Sequence, residues 1–529
     1  MAYHTASYLF VFLPLVLCAY QLTPKKIRWI TLLISSYIFF WSISKQLIIY
    51  LLVTTLLTHY VCVWMTWIRS DSAATDEQHG KTALFSISIK GKTAEKIMLI
   101  TGIVILLGIL GGLKYYNFFA DNWNMVFSSG GILPQLQAKD LILPLGISFY
   151  TLQAIGYMID VFWEKADVHP NPGKTALFLS FFPLIMEGPI SPYGQIADDL
   201  WKGNPIRFQN LSDGCIRIVW GMFKKLIIAD RLNVLVGTIF GDYENYHGAM
   251  IAVAAIAYTI QLYMEFSGCM DIVIGSGRIF GIKLPENFKQ PFFAKSAADF
   301  WRRWHISLGV WFRTYIFYPV SLSVPVRKWN RFAKKRFGKY VARTGAAALA
   351  LFPVWLCNGL WHGPSWRYIF YGMYYFVLLF LGEAIGPGRD ALLKKLSIRK
   401  EAMWYQGIQI LKTWVIIFVG ELFFRADGLR AGIKMFRSMF DGFSFRQLTA
   451  EAFLQLGLDK ADYIAVAGGC IVVLIVDILK ERQTGTGILL EKVNLPVRWG
   501  LSYVLIFSVV LLGAYGIEYE PVDLIYAGF

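Results

Sequence analysis

The sequence predicts an all-α polytopic membrane protein of about eleven to twelve transmembrane helices, with re-entrant and interfacial helices between them. Of its 529 residues, 56% are hydrophobic and only 16% are charged, whereas a soluble chain carries roughly a quarter of its residues as Asp, Glu, Lys or Arg. Mean hydropathy is +0.49. The apolar residues also fall in blocks. Between Lys45 and Arg69 lie 23 consecutive uncharged residues, and between Arg343 and Arg367 another 23. At 1.5 Å per helical residue either run crosses a hydrocarbon core about 30 Å thick. These observations exclude an ordinary cytosolic enzyme.

Taken in order, the first apolar stretch, near 6–20, has no Lys or Arg ahead of it and is followed by Lys25, Lys26 and Arg28. It is expected to be retained, not cleaved as a signal, with the N-terminus outside and that basic group in the cytoplasm. Spans near 29–44 and 46–68 follow, and two crossings return the chain to the cytoplasmic side. There Arg69 to Lys96 mixes charges with Ser, Thr and Gly and is expected to be a loop. Further spans are expected near 97–113, 141–159, 213–240, 248–270, 343–363, 367–387, 407–425, 461–479 and 498–517. Segment 174–190 is broken by Pro183 and Pro189 and contains Glu187, so it is expected to be re-entrant or buried against protein. Arg327 to Arg343 holds eight basic residues in 17 and no acid. It fits either an orientation anchor lying on anionic lipid or a docking surface for an acidic donor. No repeat of fixed period is visible, which weakens a transporter built from inverted repeats.

The net charge of +16 belongs to cytoplasmic loops facing lipid headgroups more readily than to a nucleic-acid-binding surface; membrane lipids are an expected partner and nucleic acid is not. The six cysteines (Cys18, Cys62, Cys215, Cys269, Cys357, Cys470) are dispersed, mostly in apolar segments. They read as reduced and buried, and no metal site is expected. Gly275, Gly277 and Gly281 are one residue off a dinucleotide fingerprint and lie inside an apolar segment, so they read as a packing feature. Gly91-Lys92-Thr93 has Ser86 where a phosphate loop requires Gly.

Charge becomes dense between residues 258 and 320. Glu265 and Asp271 lie on or beside a span, where ionisable groups are functional-site candidates by default. Six residues apart on a helix they are about 240° out of phase, so they do not form a facing acid/base pair. They are candidates for the site together with Ser267, or structural carboxylates accepting from neighbouring helices or from Arg302 and Arg303. Arg302, Arg303, Trp304 and His305 place cationic, aromatic and titratable groups in four successive positions. A second cluster, Asn358-Gly359-Leu360-Trp361-His362-Gly363-Pro364-Ser365-Trp366, closes an apolar helix. A lone membrane His is often a hydrogen-bonded core residue. In a partly dry tunnel, however, desolvation favours the neutral imidazole, which can accept a proton. The flanking glycines are expected to let substrate approach, and the two tryptophans to supply apolar walls.

These stretches resemble the membrane-bound O-acyltransferase family, in its polysaccharide-acetylating bacterial branch. The matching strings are LPLGISFYTLQAIGYMIDV (143–161), FFPLIMEGPISPYGQI (181–196), EFSGCMDIVIGSGRIFGIKLPENF (265–288), DFWRRWHISLGVWFRTYIFYP (299–319), NGLWHG (358–363), ELFFRADGLRAGIKMF (421–436) and the closing LIYAGF. The resemblance implies helices around a central tunnel in one integral membrane domain (1–529). Within it, N-terminal transmembrane helices (1–140) would precede a catalytic core (141–440) and C-terminal helices (441–529). The implied reaction is O-acyl transfer, with an acyl group, acetyl by preference, moving from a cytoplasmic thioester to an extracytoplasmic polysaccharide hydroxyl or a relay partner. The family's membrane-embedded catalytic His falls on His362 and its second active-site position on His305. Glu265, Ser267, Asp271, Arg302, Arg303, Trp304, Asn358 and Trp361 would then bind substrate or line the tunnel.

No cofactor is expected to be bound permanently. The donor, acetyl-CoA or an acyl carrier protein, is a cosubstrate. A separate extracytoplasmic acyltransferase is an expected partner. The alternatives are D-alanyl transfer to teichoic acid from a carrier protein and, of other classes, a polysaccharide or lipid transporter or a catalytically silent scaffold.

Overall fold

The computed structural model describes residues 2–79, 81–128, 133–482 and 494–515, with the side chains of 72–79 and 81–90 outside that description. The regular structure of the described residues is all helical, with no strand among them. They cluster into two compact units, Met1–Cys215 with Val273–Pro285, and Ile216–Ile272 with Glu286–Phe529. The expected closing string LIYAGF lies outside the described residues.

The first unit begins with a π turn, Ser7–Phe12, running into α1 (Leu13–Leu22). It continues with α2 (Arg28–Ser44), α3 (Ile48–His79), α4 (Lys81–Leu110) and α5 (Tyr116–Trp123). After an irregular stretch come α6 (Ile147–Phe162), α7 (Pro172–Ser180) and α8 (Tyr193–Trp201). The polar stretch 69–96, expected as a loop, is helical instead: α3 runs to His79, α4 starts at Lys81, and the two helices pack along each other. Ala, Glu, Lys and Gln are good helix formers, and a helix leaving the bilayer has no reason to stop where its residues become polar. Arg69 and Glu95 tie the pair together at 2.9 Å. Segment 174–190 behaves as expected: α7 ends at Ser180 and residues 181–190 follow an irregular, fully buried path that includes Glu187.

Two helices contribute to both units, α9 (Phe208–Met222) and α11 (Ala249–Ile279). Within the first unit, a Cβ on Gly214 would fall 2.7 Å from the Gly275 carbonyl, so the glycines near 275 do serve close packing. The second unit continues α9 through a π turn, Phe223–Ala229, into α10 (Asp230–Gly241). After α11 come the short helices α12 (Ala297–Arg303), α13 (Ile306–Phe312) and α14 (Tyr318–Ser321). The basic run forms α15 (Val324–Arg336) and the start of α16 (Gly338–His362), followed by α17 (Trp366–Ala384) and α18 (Gly386–Lys395). The unit closes with α19 (Met403–Arg425), α20 (Gly428–Ser438), α21 (Ala450–Leu454), α22 (Lys460–Glu481) and α23 (Leu495–Leu512).

Among the described residues seven helical segments are long and apolar enough to cross a membrane, or eight if the bent pair α17–α18 counts as one span. The chain is a multi-pass membrane protein, with fewer full-length spans than the eleven to twelve expected. The difference has identifiable sources. Spans 29–44 and 46–68 belong to one segment, Lys25–Asp71, interrupted at Lys45 where φ is +45°. Segments Ser7–Leu22 and Ile147–Phe162 are apolar but short. The expected span at 213–240 carries Arg217, Lys224, Lys225, Asp230 and Arg231.

Candidate active site

The two histidines singled out by the sequence both belong to the second unit, and the structure brings them together around one tryptophan. The His305 and Trp361 ring centroids are 5.5 Å apart, and those of Trp361 and His362 are 5.1 Å apart. Both imidazoles are buried, His305 at 3% and His362 at 5% exposure.

His362 is the last residue of α16. Helices α16 and α17 approach closely because Gly359 and Gly372 lack side chains. A Cβ on Gly359 would collide with the Tyr368 carbonyl, and one on Gly372 with that of Trp355. The glycine expected to admit substrate at position 359 therefore serves helix contact. Gly363 is likewise occupied, since a Cβ there would meet the Tyr368 ring at 2.7 Å. The turn into α17 is held by Ser365, whose hydroxyl accepts from the Arg367 N–H at 3.4 Å. This geometry sets the His362 ring edge-on to Phe424 (centroids 4.9 Å) and Tyr371 (5.8 Å). Tyr371 in turn donates to the buried carboxylate of Glu421 at 2.9 Å. Asn358 is buried one turn back on α16, and its side-chain oxygen has no hydrogen-bond donor among the described residues. Trp361 is a buried wall, but Trp366 is 53% exposed and is not.

His305 sits between α12 and α13 with φ +45° and ψ +51°, a left-handed conformation that costs a non-glycine residue about 1–2 kcal/mol and occurs where surroundings enforce it. The enforcement comes from residues 287–289. The Ile306 N–H donates to the Asn287 carbonyl (3.0 Å) and the Lys289 N–H to the Arg303 carbonyl (2.9 Å). The Asn287 side chain completes it: its Oδ1 accepts from the Ser307 N–H at 2.9 Å and lies 3.4 Å from His305 Nδ1, while its Nδ2 faces Met270 Sδ at 3.3 Å. Phe266 closes the ring edge-on at 4.9 Å. Burial pushes the His305 imidazole down to about 3, so it is neutral at pH 7.

The carboxylates Glu265 and Asp271 are buried, as their out-of-phase spacing on α11 allows, but neither pairs with Arg302 or Arg303. Asp271 is bridged by Lys224 (2.5 Å) and Arg217 (3.0 Å), and Arg217 forks onto Glu286 at 2.6 and 2.5 Å. Glu265 lies 3.5 Å from Lys225, which also holds Asp230 at 2.7 Å. Ser267 accepts from Lys224 at 2.9 Å. Arg302 is exposed and reaches Asp299, and Arg303 binds Asp299 and Glu481. Trp304 stacks on Phe300 and stands edge-on to Phe288. Ser267 and Asp271 thus share one network through Lys224, Glu265 meets the adjacent Lys225, and Arg302, Arg303 and Trp304 face other partners.

Beside that network is a small cavity of about 40 Å³, lined by Arg217, Lys224, Ser267, Asp271, Asn287 and Asp477 among others. This is room for a few waters, and Asn287 connects it to His305. Sequence reasoning missed Asn287, Arg217, Lys224, Lys225, Tyr371 and Glu421. The two lysines carried a signal, since they interrupt an apolar stretch at membrane-span length. The described residues contain no cluster of His, Cys, Asp or Glu able to hold a metal ion; of the cysteines expected to be buried, Cys62 and Cys269 are, whereas Cys18 and Cys215 are exposed on the outer faces of their helices.

Comparison with known proteins bears on the chemistry. The sequence profile of the membrane-bound O-acyltransferase family matches residues 37–422. The chain is 32% identical to the alginate O-acetylase AlgI of Pseudomonas putida over 441 residues, covering 83% of this chain and 80% of that protein. It is 30% identical to the peptidoglycan O-acetyltransferase of Helicobacter pylori over 386 residues, 68% of each chain. To the teichoic acid D-alanyltransferase of Bacillus subtilis it is 30% identical over 263 residues, covering 46% of this chain and 60% of that protein.

Proposed function

The chain belongs to the membrane-bound O-acyltransferase family, and from that premise we propose that it moves an acetyl group from a cytoplasmic thioester to the hydroxyl of an extracytoplasmic polysaccharide. The immediate acceptor is either the glycan or a relay hydroxyl on a separate extracytoplasmic acyltransferase that completes the transfer. The donor is acetyl-CoA or an acetylated carrier protein. The observation that carries this reading is the pair of buried imidazoles gathered around Trp361.

In the proposed reaction His362 is the general base. The acceptor O–H gives its proton to the imidazole as the oxygen attacks the thioester carbonyl. The C–S bond then breaks, and the departing thiolate takes the proton back from the imidazolium. His305, neutral and held by Asn287, orients the donor or stabilises charge developing on the carbonyl oxygen. Glu265, Ser267, Asp271, Asn358 and Trp361 shape the surrounding pocket, and the exposed Arg302 is available to the donor's anionic part, whereas Arg303 reaches it only by leaving Glu481. Acetyl transfer is favoured over D-alanyl transfer because the relatives that cover most of this chain carry acetylase names, whereas the D-alanyltransferase covers under half of it.

The purified protein, supplied with acetyl-CoA and a soluble glycan or partner acceptor, should release free thiol and label the acceptor. Label transferred only from D-alanyl carrier protein would select the runner-up, and a silent scaffold would tolerate alanine at both histidines. The orientation, with the N-terminus outside and 69–96 in the cytoplasm, follows from Lys25, Lys26 and Arg28. Labelling of Ser72→Cys from outside intact cells would reverse it.

A further inference from the structure

The first unit contains a basic cavity that the acyl-transfer reaction does not use. It has a volume of about 230 Å³ and is lined by Asn204, Arg207, Asn210, Arg278, Gly281 and Lys283. No Asp or Glu lines it. Arg278 is shared with Asp213 at 2.8 Å, whereas Arg207 and Lys283 are exposed and have no ion-pair partner among the described residues. A buried donor, Arg278 Nε, also lacks an acceptor among those residues.

The backbone adds to the positive character. Arg207 immediately precedes the fifteen-residue helix α9, whose first-turn N–H groups and dipole favour an anion. Gly281, at φ +74°, carries the chain past Asn204, and a Cβ there would meet the Asn204 and Asn210 side chains at 3.3 and 3.4 Å. The cavity therefore depends on a left-handed turn that a glycine makes without strain.

Its position identifies the ligand class. Arg278 lies in the last turn of α11, at one end of a candidate membrane span. Asn204 is tied by its carbonyl to the Tyr20 hydroxyl (2.9 Å), and the neighbouring Gly203 carbonyl accepts from Arg28 (3.2 Å). The cavity thus adjoins the Lys25–Arg28 basic turn, at the level where a span meets water. Two spare cations, a helix N-terminus and two carboxamides around a void far larger than a few waters suit a phosphate group carrying further substituents.

We propose that this cavity is a phosphate-binding site, occupied by the headgroup phosphate of an anionic phospholipid or by a soluble phosphate ester. The proposal is independent of acyl transfer and is tested by binding alone. Purified protein in detergent would be titrated with phosphatidylglycerol in mixed micelles, with phosphatidylcholine as the neutral reference, and separately with inorganic pyrophosphate, following the thermal midpoint. The parent should show a saturable rise with at least one anionic probe. The double variant Arg207→Gln/Lys283→Gln should bind that probe about tenfold or more weakly, the least expected for losing even one charge-assisted hydrogen bond. Both residues are exposed, so the variant should fold. An equal loss of charge elsewhere in the unit, Lys139→Gln/Lys165→Gln, should leave binding unchanged. A response to phosphatidylglycerol alone identifies a lipid headgroup, and a response to pyrophosphate identifies a soluble phosphate ester. No saturable binding, or equal weakening in the two double variants, would overturn the site.

Discussion

Replacing His362 tests both the proposed chemistry and the packing that holds it. Positioned proton transfer contributes roughly 10²–10⁴-fold to a rate, which is about 3–5 kcal/mol of transition-state stabilisation. The ring also lies against Trp361, Tyr371 and Phe424. Its removal should therefore also cost about 2–4 kcal/mol of stability by cavity formation. Alanine alone thus confounds two effects, and His362→Phe separates them because a phenyl ring refills the aromatic box without accepting a proton. Both variants should lose at least 10²-fold in turnover of acceptor, whereas only His362→Ala should lower the thermal midpoint substantially. The assay is acyl transfer by detergent-purified protein of matched monodispersity. Turnover within tenfold of the parent in His362→Phe would refute the general-base assignment and reduce His362 to a packing residue.

Three further outcomes are expected. Asn287→Ala removes the acceptor of the Ser307 N–H and the neighbour of His305 Nδ1; as a positioning residue it should lower kcat about ten- to a hundredfold with little change in acceptor KM, and rescue by Asn287→Ser would support hydrogen bonding over mere volume. Asp271→Asn leaves Lys224 buried beside Arg217 without its carboxylate, so chemical denaturation or thermal melting should show a loss of about 3–5 kcal/mol, and a loss below about 1 kcal/mol would contradict the network. Because the His305 pKa falls from an ordinary 6.5 to about 3 on folding, the unfolded chain binds the extra proton between those values. The stability contributed by keeping this ring neutral is therefore complete above pH 6.5 and is lost as pH falls toward 3; the thermal midpoint of the parent should drop more between pH 7.5 and 5 than that of His305→Asn.

The sequence made legible those elements whose signal is local. The strings around His305 and His362 marked both histidines for attention, and both side chains are buried. The cost of a charge in an apolar segment flagged Glu265 and Asp271. Their partners were not legible, because helical phase tells which way a side chain faces but not which helix it meets. Arg302 and Arg303 were close in sequence, yet Arg217, Lys224 and Lys225 take the carboxylates. Nor could the polarity of 69–96 separate a loop from a helix that outruns the bilayer; propensity decides that, and Ala, Lys and Glu favour the helix. The role of Gly359 was misjudged for a similar reason: the sequence shows that a Cβ is missing but not what fills the space.

Within the second unit the polar residues form a sequence of dependences that ends at His305. In an apolar medium no hydrophobic force selects between helix faces, so the buried lysines of the Phe223–Ala229 turn, held by Asp271 and Glu265, fix how that turn meets α11. Gly268 and Gly221 permit the contact: a Cβ on Gly268 would lie 2.8 Å from the Gly221 carbonyl. Fixing α11 fixes Met270 and Phe266, which touch Asn287 and His305 respectively. Asn287 then holds the left-handed turn that presents His305. His362 depends on a separate set of contacts, the α16–α17 approach at Gly359 and Gly372 and the ring of Phe424. Trp361 packs against both imidazoles, but the supports of the two rings differ, so damage to the charged network should reach His305 first and leave the environment of His362 largely intact.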